Sequence, residues 1–225
     1  LSLERNQILR RELLHAARAF NALGIEPLLL KGALALLPDQ PPEIAARLMG
    51  DLDVLLPANR LADSQNALKA LGYYDPHEGD DQYRTHHHVP PLVHRNHGVK
   101  FELHHAVLGR SQDAALPAAE MWRDSQRIPF AGTFVRVPSH THRVLHNLLH
   151  TLEQDHRAEL GVLELRQLLD LVQFRAQDEA LIAWPLIQAR GAALGQSAVL
   201  NACLRVTVDW FGQPLMAYYA MKRAN

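Results

Sequence analysis

The decapeptide Arg47-Leu48-Met49-Gly50-Asp51-Leu52-Asp53-Val54-Leu55-Leu56 decides how the rest of this chain is read. From Leu52 to Leu56 it is a short apolar run closed by Pro57, the length and composition of a buried strand. Side chains on a strand alternate between faces, so Asp51 and Asp53 share one face, about 6 to 7 Å apart, while Leu52, Val54 and Leu56 share the other. Two carboxylates side by side on a buried strand are costly unless solvent or a cation shares their charge. Hard divalent cations such as Mg²⁺ take oxygen pairs of this kind and keep further positions for water and phosphate oxygens.

Two flanking segments extend the pattern. Upstream, Pro27-Leu28-Leu29-Leu30 is a second short apolar run, and Lys31-Gly32 follows where the chain is expected to turn into a helix. Glycine lets a backbone approach phosphate closely, the free N–H groups of a helix start favour an anion, and Lys31 adds a positive charge. Downstream, Val99-Lys100-Phe101-Glu102-Leu103-His104-His105 reads as a strand with Phe101 and Leu103 on one face and Glu102 and His104 on the other. If that strand lies beside the Asp51/Asp53 strand, three carboxylates converge. Two metal ions about 3.5 to 4 Å apart in such a site align an attacking oxygen with a nucleoside triphosphate. Strand, Lys-Gly, helix, an 18-residue gap, Asp-x-Asp on a strand and a later strand with Glu form an ordered set more specific than any one of its parts. Arg47 is read either as a triphosphate contact or as an ion-pair partner of Asp51 or Asp53.

Working outward, Leu9, Leu13, Leu14, Ala17, Phe20 and Leu23 recur at helical spacing before Gly24, and Asn59 to Leu71 is helical up to Gly72. Gln82 to Val89 and Val99 to Leu108 alternate apolar residues and look like paired strands around Pro90-Pro91 and the Asn96-His97-Gly98 turn. Beyond Pro138 the periodicity becomes helical to the end. The expected class is α+β: a small mixed β-sheet core with flanking helices over residues 1–112, then a mainly helical part over 113–225 with a short β excursion near 127–137.

Composition removes several function classes. With 23 Lys+Arg against 24 Asp+Glu the chain lacks the basic excess needed to grip long nucleic acid through its phosphates, although a local basic patch is compatible with it. Lys31, Arg47, Arg84, Arg95 and Lys100 supply local base opposite the acidic strand. A lone Cys203 forms no internal disulfide and no cysteine-based zinc site, which makes a cytoplasmic location the expectation. LSLERNQILRRELL has no apolar signal region, and no run approaches the ~18 apolar residues of a membrane span.

Histidine is the compositional oddity: 14 residues, seven of them between His86 and His105, around the strand that carries Glu102. A zinc site from His86, His88 and His104 is one reading, since neutral imidazole suits zinc. His142, His146 and His150 recur every four residues, as a ligand ladder or a polar seam between helices. Asp155-His156 reverses the doublet of His-Asp phosphohydrolases, which argues against that chemistry. Arg166 and Asp170 have the spacing of a helical ion pair. Trp122, Trp184 and Trp210 are read as core or interface residues.

On Leu30-Lys31-Gly32, Arg47, Gly50-Asp51-Leu52-Asp53-Val54-Leu55, Gly72-Tyr73, His87-His88, Glu102-Leu103-His104, His142, Leu145, His146, His150 and Leu165 to Leu171, the chain resembles the nucleotidyltransferase superfamily related to DNA polymerase beta. Within it the resemblance is to a group of bacterial proteins labelled uncharacterised nucleotidyltransferases. The resemblance implies transfer of a nucleoside monophosphate from an NTP to an acceptor hydroxyl on a small molecule, a protein or an RNA end, with Mg²⁺ or Mn²⁺ as cofactor. It implies Asp51, Asp53 and Glu102 as catalytic, metal-binding carboxylates, the third also favouring deprotonation of the hydroxyl. Lys31, Gly32, Arg47 and Gly50 would contact nucleotide phosphates, His88 and His104 would bind acceptor or move a proton, and Arg166 and Asp170 would lie on a cleft wall. The wider superfamily has Gly-Gly or Gly-Ser where this chain has Lys31-Gly32, and the gap to Asp51 is longer than its norm. Two alternatives stand beside this reading: a degenerate module that binds a nucleotide or a protein, and a histidine-dependent metal hydrolase. Oligomeric state is not encoded in any of these patterns.

Overall fold

A computed structural model describes residues 2–38, 49–80, 83, 85–110, 112–153 and 165–212, with the side chains of 151–153, 177 and 178 left aside. Arg47, Arg84 and Asp155-His156 lie outside the described residues. Helix α1 (Ser2–Ala22) forms because Leu9, Leu13, Ala16, Ala17 and Phe20 make one apolar stripe, which is fully buried. It stops where Gly24 adopts φ +72° and the Ile25 N–H returns to the Phe20 carbonyl, a turn that glycine makes without steric cost.

Among the described residues, seven strands form one mixed sheet: β1 (Leu28–Leu29), β2 (Asp51–Leu55), β3 (Tyr73–Tyr74), β4 (Leu92–His94), β5 (Lys100–His104), β6 (Gln126–Phe130) and β7 (Thr133–Val137). Their order is β3-β4-β5-β2-β1-β7-β6, with β2/β5 and β1/β7 parallel and the other pairs antiparallel. Leu52, Val54, Leu56, Phe101, Leu103, Val135 and Val137 share one core with the α1 stripe. Each large side chain in it contributes on the order of 2 kcal/mol through burial. Helix α2 (Leu61–Ala70) adds Leu68 to that core, and α3 (Ala118–Arg123) precedes the β6–β7 hairpin. The hairpin turns on Ala131 and Gly132, both at positive φ, as a two-residue hairpin turn requires.

The chain divides into two compact units, residues 1–110 with 117–139, and 111–116 with 140–225. In the second, α4 (His140–Glu153), α5 (Leu165–Asp178), α6 (Trp184–Ala193) and α7 (Ser197–Phe211) bury Leu145, Leu149, Leu171, Ile187 and Leu204. Gln167 reaches His150 Nδ1 at 2.9 Å, so the histidine row of α4 includes a polar contact to α5.

Several elements differ from expectation. Residues 117–139, expected with the helical part, belong to the sheet unit because β7 pairs with β1 and β6 with β7. The expected strand from Gln82 to Val89 is, among its described residues, a single bridge from His88 to His104. Pro90 and Pro91 have no N–H to continue a ladder, and β4 takes the place beside β5. The helix expected after Gly32 is a six-residue 3-10 segment, Lys31–Leu36. Strand β3, two residues long, is too short to leave a periodic signal.

Candidate active site

Parallel pairing of β2 with β5 places Asp51 opposite Lys100, Asp53 opposite Glu102 and Leu55 opposite His104. Directly paired residues share a face, so Asp51, Asp53, Glu102 and His104 project to the side away from the α1 core. The neighbouring strand delivers the cation. The Leu30 N–H donates to the Asp53 carbonyl at 3.0 Å, and the chain turns at once into Lys31.

Lys31, rather than Gly32, holds the unusual backbone, at φ +46°. An L residue in that region costs on the order of 1 to 2 kcal/mol, and here the turn aims the ammonium back at the carboxylates. Lys31 Nζ donates to Asp53 Oδ1 at 2.7 Å, and His104 Nε2 donates to the same oxygen at 2.9 Å while standing 3.7 Å from Glu102 Oε2.

Asp53 is 4% exposed and His104 fully buried. Burial alone would raise the Asp53 pKa, yet Lys31 and His104 hold it well below the ordinary carboxylate range. Burial works against the charged forms of Lys31 and His104 too, but Asp53 and Glu102 raise both pKa values. The result is a desolvated cluster whose charges are compensated from inside. Ligand atoms of Asp53, Glu102 and His104 lie within 4.8 Å of one another, a spacing that can close around one cation. The hard oxygens of Asp53 and Glu102 suit a divalent ion, with Asp51 one step along the same face, provided Lys31 yields its place on Asp53 Oδ1.

The other anticipated residues separate. His88 is buried, its Nδ1–H donates to the Val89 carbonyl at 2.8 Å, and burial lowers its pKa, so it is a neutral ring 5.2 Å from that of His104. His86 is exposed and lies outside the groups of converging ligand atoms found among the described residues. Gly50 precedes β2 with nothing within 4 Å of where a Cβ would stand, which leaves open space above the backbone entering Asp51. Arg166 is exposed and Asp170 buried, both on α5 of the helical unit.

One supporting residue left no signal in the sequence. Arg5 on α1 donates to the Gly50 carbonyl at 3.1 Å and so holds the entry to β2. Forty-five residues separate the pair, and α1 periodicity marks Arg5 only as a polar position.

Comparison with known proteins fits this geometry. The model of a family described as uncharacterised nucleotidyltransferase matches residues 1–212. The chain belongs to that family. No curated protein sequence matches it. Among solved structures, the solution structure of the antibiotic-resistance factor ANT(2'')-Ia aligns over 88% of this chain and 97% of its own, at TM-score 0.53 and 14% identity, which is a likeness of fold. A crystal structure of an antigenic nucleotidyltransferase-like protein from Paracoccidioides brasiliensis aligns over 89% of this chain and 93% of its own, at TM-score 0.46 and 16% identity. The chain is therefore a nucleotidyltransferase by family, built on a mixed seven-stranded sheet followed by helices. No helix among the described residues is long and apolar enough to cross a membrane.

Proposed function

We propose that this nucleotidyltransferase moves a nucleoside monophosphate from an NTP to an acceptor hydroxyl at the Asp51, Asp53 and Glu102 face of β2 and β5. The observation that carries this reading is the register that sets Asp53 opposite Glu102, with Lys31 Nζ 2.7 Å from Asp53. Asp51, Asp53 and Glu102 would hold Mg²⁺ or Mn²⁺, which supplies charge neutralisation for the triphosphate. Lys31 exchanges Asp53 for a phosphate oxygen when nucleotide enters, so a charge that compensates the empty site serves the filled one. Gly50 lets the phosphates approach the backbone, and Arg5 keeps that backbone in place. Glu102, less buried than Asp53, accepts the proton of the attacking hydroxyl. His104 is a positioning residue: its Nε2–H fixes the Asp53 carboxylate and lies near that of Glu102. Arg47 contacts the triphosphate, and the His88 ring backs His104.

The test is incubation with each of the four NTPs and Mg²⁺, following pyrophosphate release and thermal shift for wild type and Asp53→Ala. Metal-dependent stabilisation and pyrophosphate release that vanish in Asp53→Ala are expected. Failure of every NTP to bind with metal overturns the proposal. Tight binding without pyrophosphate release over a panel of acceptors supports a nucleotide-binding module instead.

A further inference from the structure

Four residue steps along the strand, about 13 Å, lead from Asp51 to Leu55, and beyond Leu55 the molecule changes sign. A cleft of about 1030 Å³ opens there, at the end of the sheet where β1 begins and β2 leaves, lined by Arg18, Arg60, Trp122, Arg123, Arg127 and Arg136. Its volume sits at the upper end of the roughly 300–1,000 Å³ typical of small-molecule sites. None of these residues belongs to the carboxylate face.

Arginines this close repel one another, so a purely structural network would bring as many carboxylates. Here Glu26 pairs with Arg127 and Arg136, Asp63 with Arg60, and Asp124 with Arg123, while Glu120, one helical turn before Arg123, also acts on it and Arg18 donates only to the Ala131 carbonyl. The five arginines still outnumber these four carboxylates around open space.

Two of the guanidinium groups are also held against aromatic rings. Arg127 lies 3.3 Å over the centre of the Phe134 ring and Arg136 lies 5.8 Å over that of Trp122. Arg127 and Arg136 each anchor on Glu26 through Nε, and Arg136 adds Ser125 through one Nη. The bond of Arg127 to Glu26 uses Nε alone, so its Nη pair has no partner among the described residues. A guanidinium held by its ring contact and its Nε presents a ready fork to a phosphate. Asn21 clamps the wall by donating to the Ile25 and Phe134 carbonyls and accepting from the Phe134 N–H.

We propose that this arginine cleft binds a compact, multiply charged phosphate ligand of about nucleotide size, at a site separate from the carboxylate face. The ligand would take the fork of Arg127 and the remaining Nη of Arg136 on one side and reach Arg18, Arg60 and Arg123 on the other. This inference does not depend on the assignment of the carboxylates.

The test uses inorganic tripolyphosphate as probe, titrated calorimetrically at low salt with EDTA present, so that metal-dependent binding at the carboxylates is silent. Three full-length proteins are compared: wild type, Asp53→Asn, and Arg18→Glu combined with Arg123→Glu. Arg18 and Arg123 are surface side chains whose exchange leaves the core intact, and thermal melting confirms folding. Wild type and Asp53→Asn are expected to bind alike, with affinity falling as salt rises, and the double variant to bind at least about tenfold more weakly. No binding by wild type up to about 1 mM, equal binding by the double variant, or loss of binding in Asp53→Asn each overturns the proposal. Much tighter binding of single-stranded RNA than of tripolyphosphate overturns the small-ligand assignment. Arg127→Lys, which keeps the charge but removes the fork, is expected to weaken the probe severalfold; unchanged affinity would refute the bidentate contact.

Discussion

The two ends of strands β1 and β2 carry opposite chemistry and handle it differently. At one end Asp53 is buried against Lys31 and His104, so the charges are compensated within the cluster and little water reaches them. At the other, arginines outnumber their carboxylate partners around an open cleft and keep N–H groups to spare. A buried charge must be paired internally because desolvation costs several kcal/mol, whereas a solvated one can wait for a ligand. The proposed function has the acid end exchange one cation for another, and the proposed cleft site has the basic end capture an anion.

Asp53 is where the two ends should respond most differently. Asp53→Asn keeps the shape and removes the charge, and should lower pyrophosphate release on the order of a hundredfold or more while leaving tripolyphosphate binding in the cleft unchanged. Kinetics and calorimetry on one preparation check both halves. If the two properties fall together, the ends are not independent.

Lys31 comes next. Lys31→Gln leaves Asp53 with His104 alone and is expected to cost about 1 to 3 kcal/mol in chemical denaturation without metal, together with a higher KM for NTP. Lys31→Gly loses the same ion pair but relieves the left-handed backbone, so it should be more stable than Lys31→Gln by about 1 kcal/mol. Equal stability of the two variants would mean that the φ of +46° stores no strain.

Gly50→Ala has a smaller effect, confined to one property. The new methyl group meets open space, so the melting temperature should stay put while nucleotide affinity falls severalfold because the methyl occupies the phosphate approach. Unchanged affinity would take the phosphates away from Gly50.

Smallest of all is the response at Cys203, buried in α7 of the helical unit and outside both ends. Burial pushes its thiol up to about 11. A raised folded pKa means that the neutral thiol is favoured on folding, so this contribution is intact below the unfolded value near 8.5 and declines as pH rises toward 11. Labelling by a disulfide reagent at pH 8 should therefore be slow in the folded protein and fast in denaturant; rapid labelling of the folded protein would refute that environment.

Much of the acid end is legible in the sequence because local rules are strong there. Period-two alternation alone puts Asp51 with Asp53, and Glu102 with His104, on common faces. What alternation cannot supply is which strands are neighbours, and hence that Asp53 meets Glu102 or that Lys31 points at Asp53. The Lys31 turn reads as an ordinary glycine turn, because left-handed backbone at lysine is dictated by the strand beside it and not by lysine's own preference. The arginine cleft leaves no mark in the sequence. Its residues come from α1, the loop after β2, α3 and the β6–β7 hairpin, and nothing along the chain beside Trp122 signals its contact with Arg136.

By itself, the sequence determined the elements with clear periodicity, the α+β class and the carboxylate face of one strand, since these follow from spacing along a single chain. Contacts in the folded chain decided the sheet order, the placing of residues 117–139 in the sheet unit, the sharing of Asp53 between Lys31 and His104, and the gathering of five arginines at the far end. Each of these depends on contacts between residues distant in the chain, whose free energy comes from burial and pairing in the folded state.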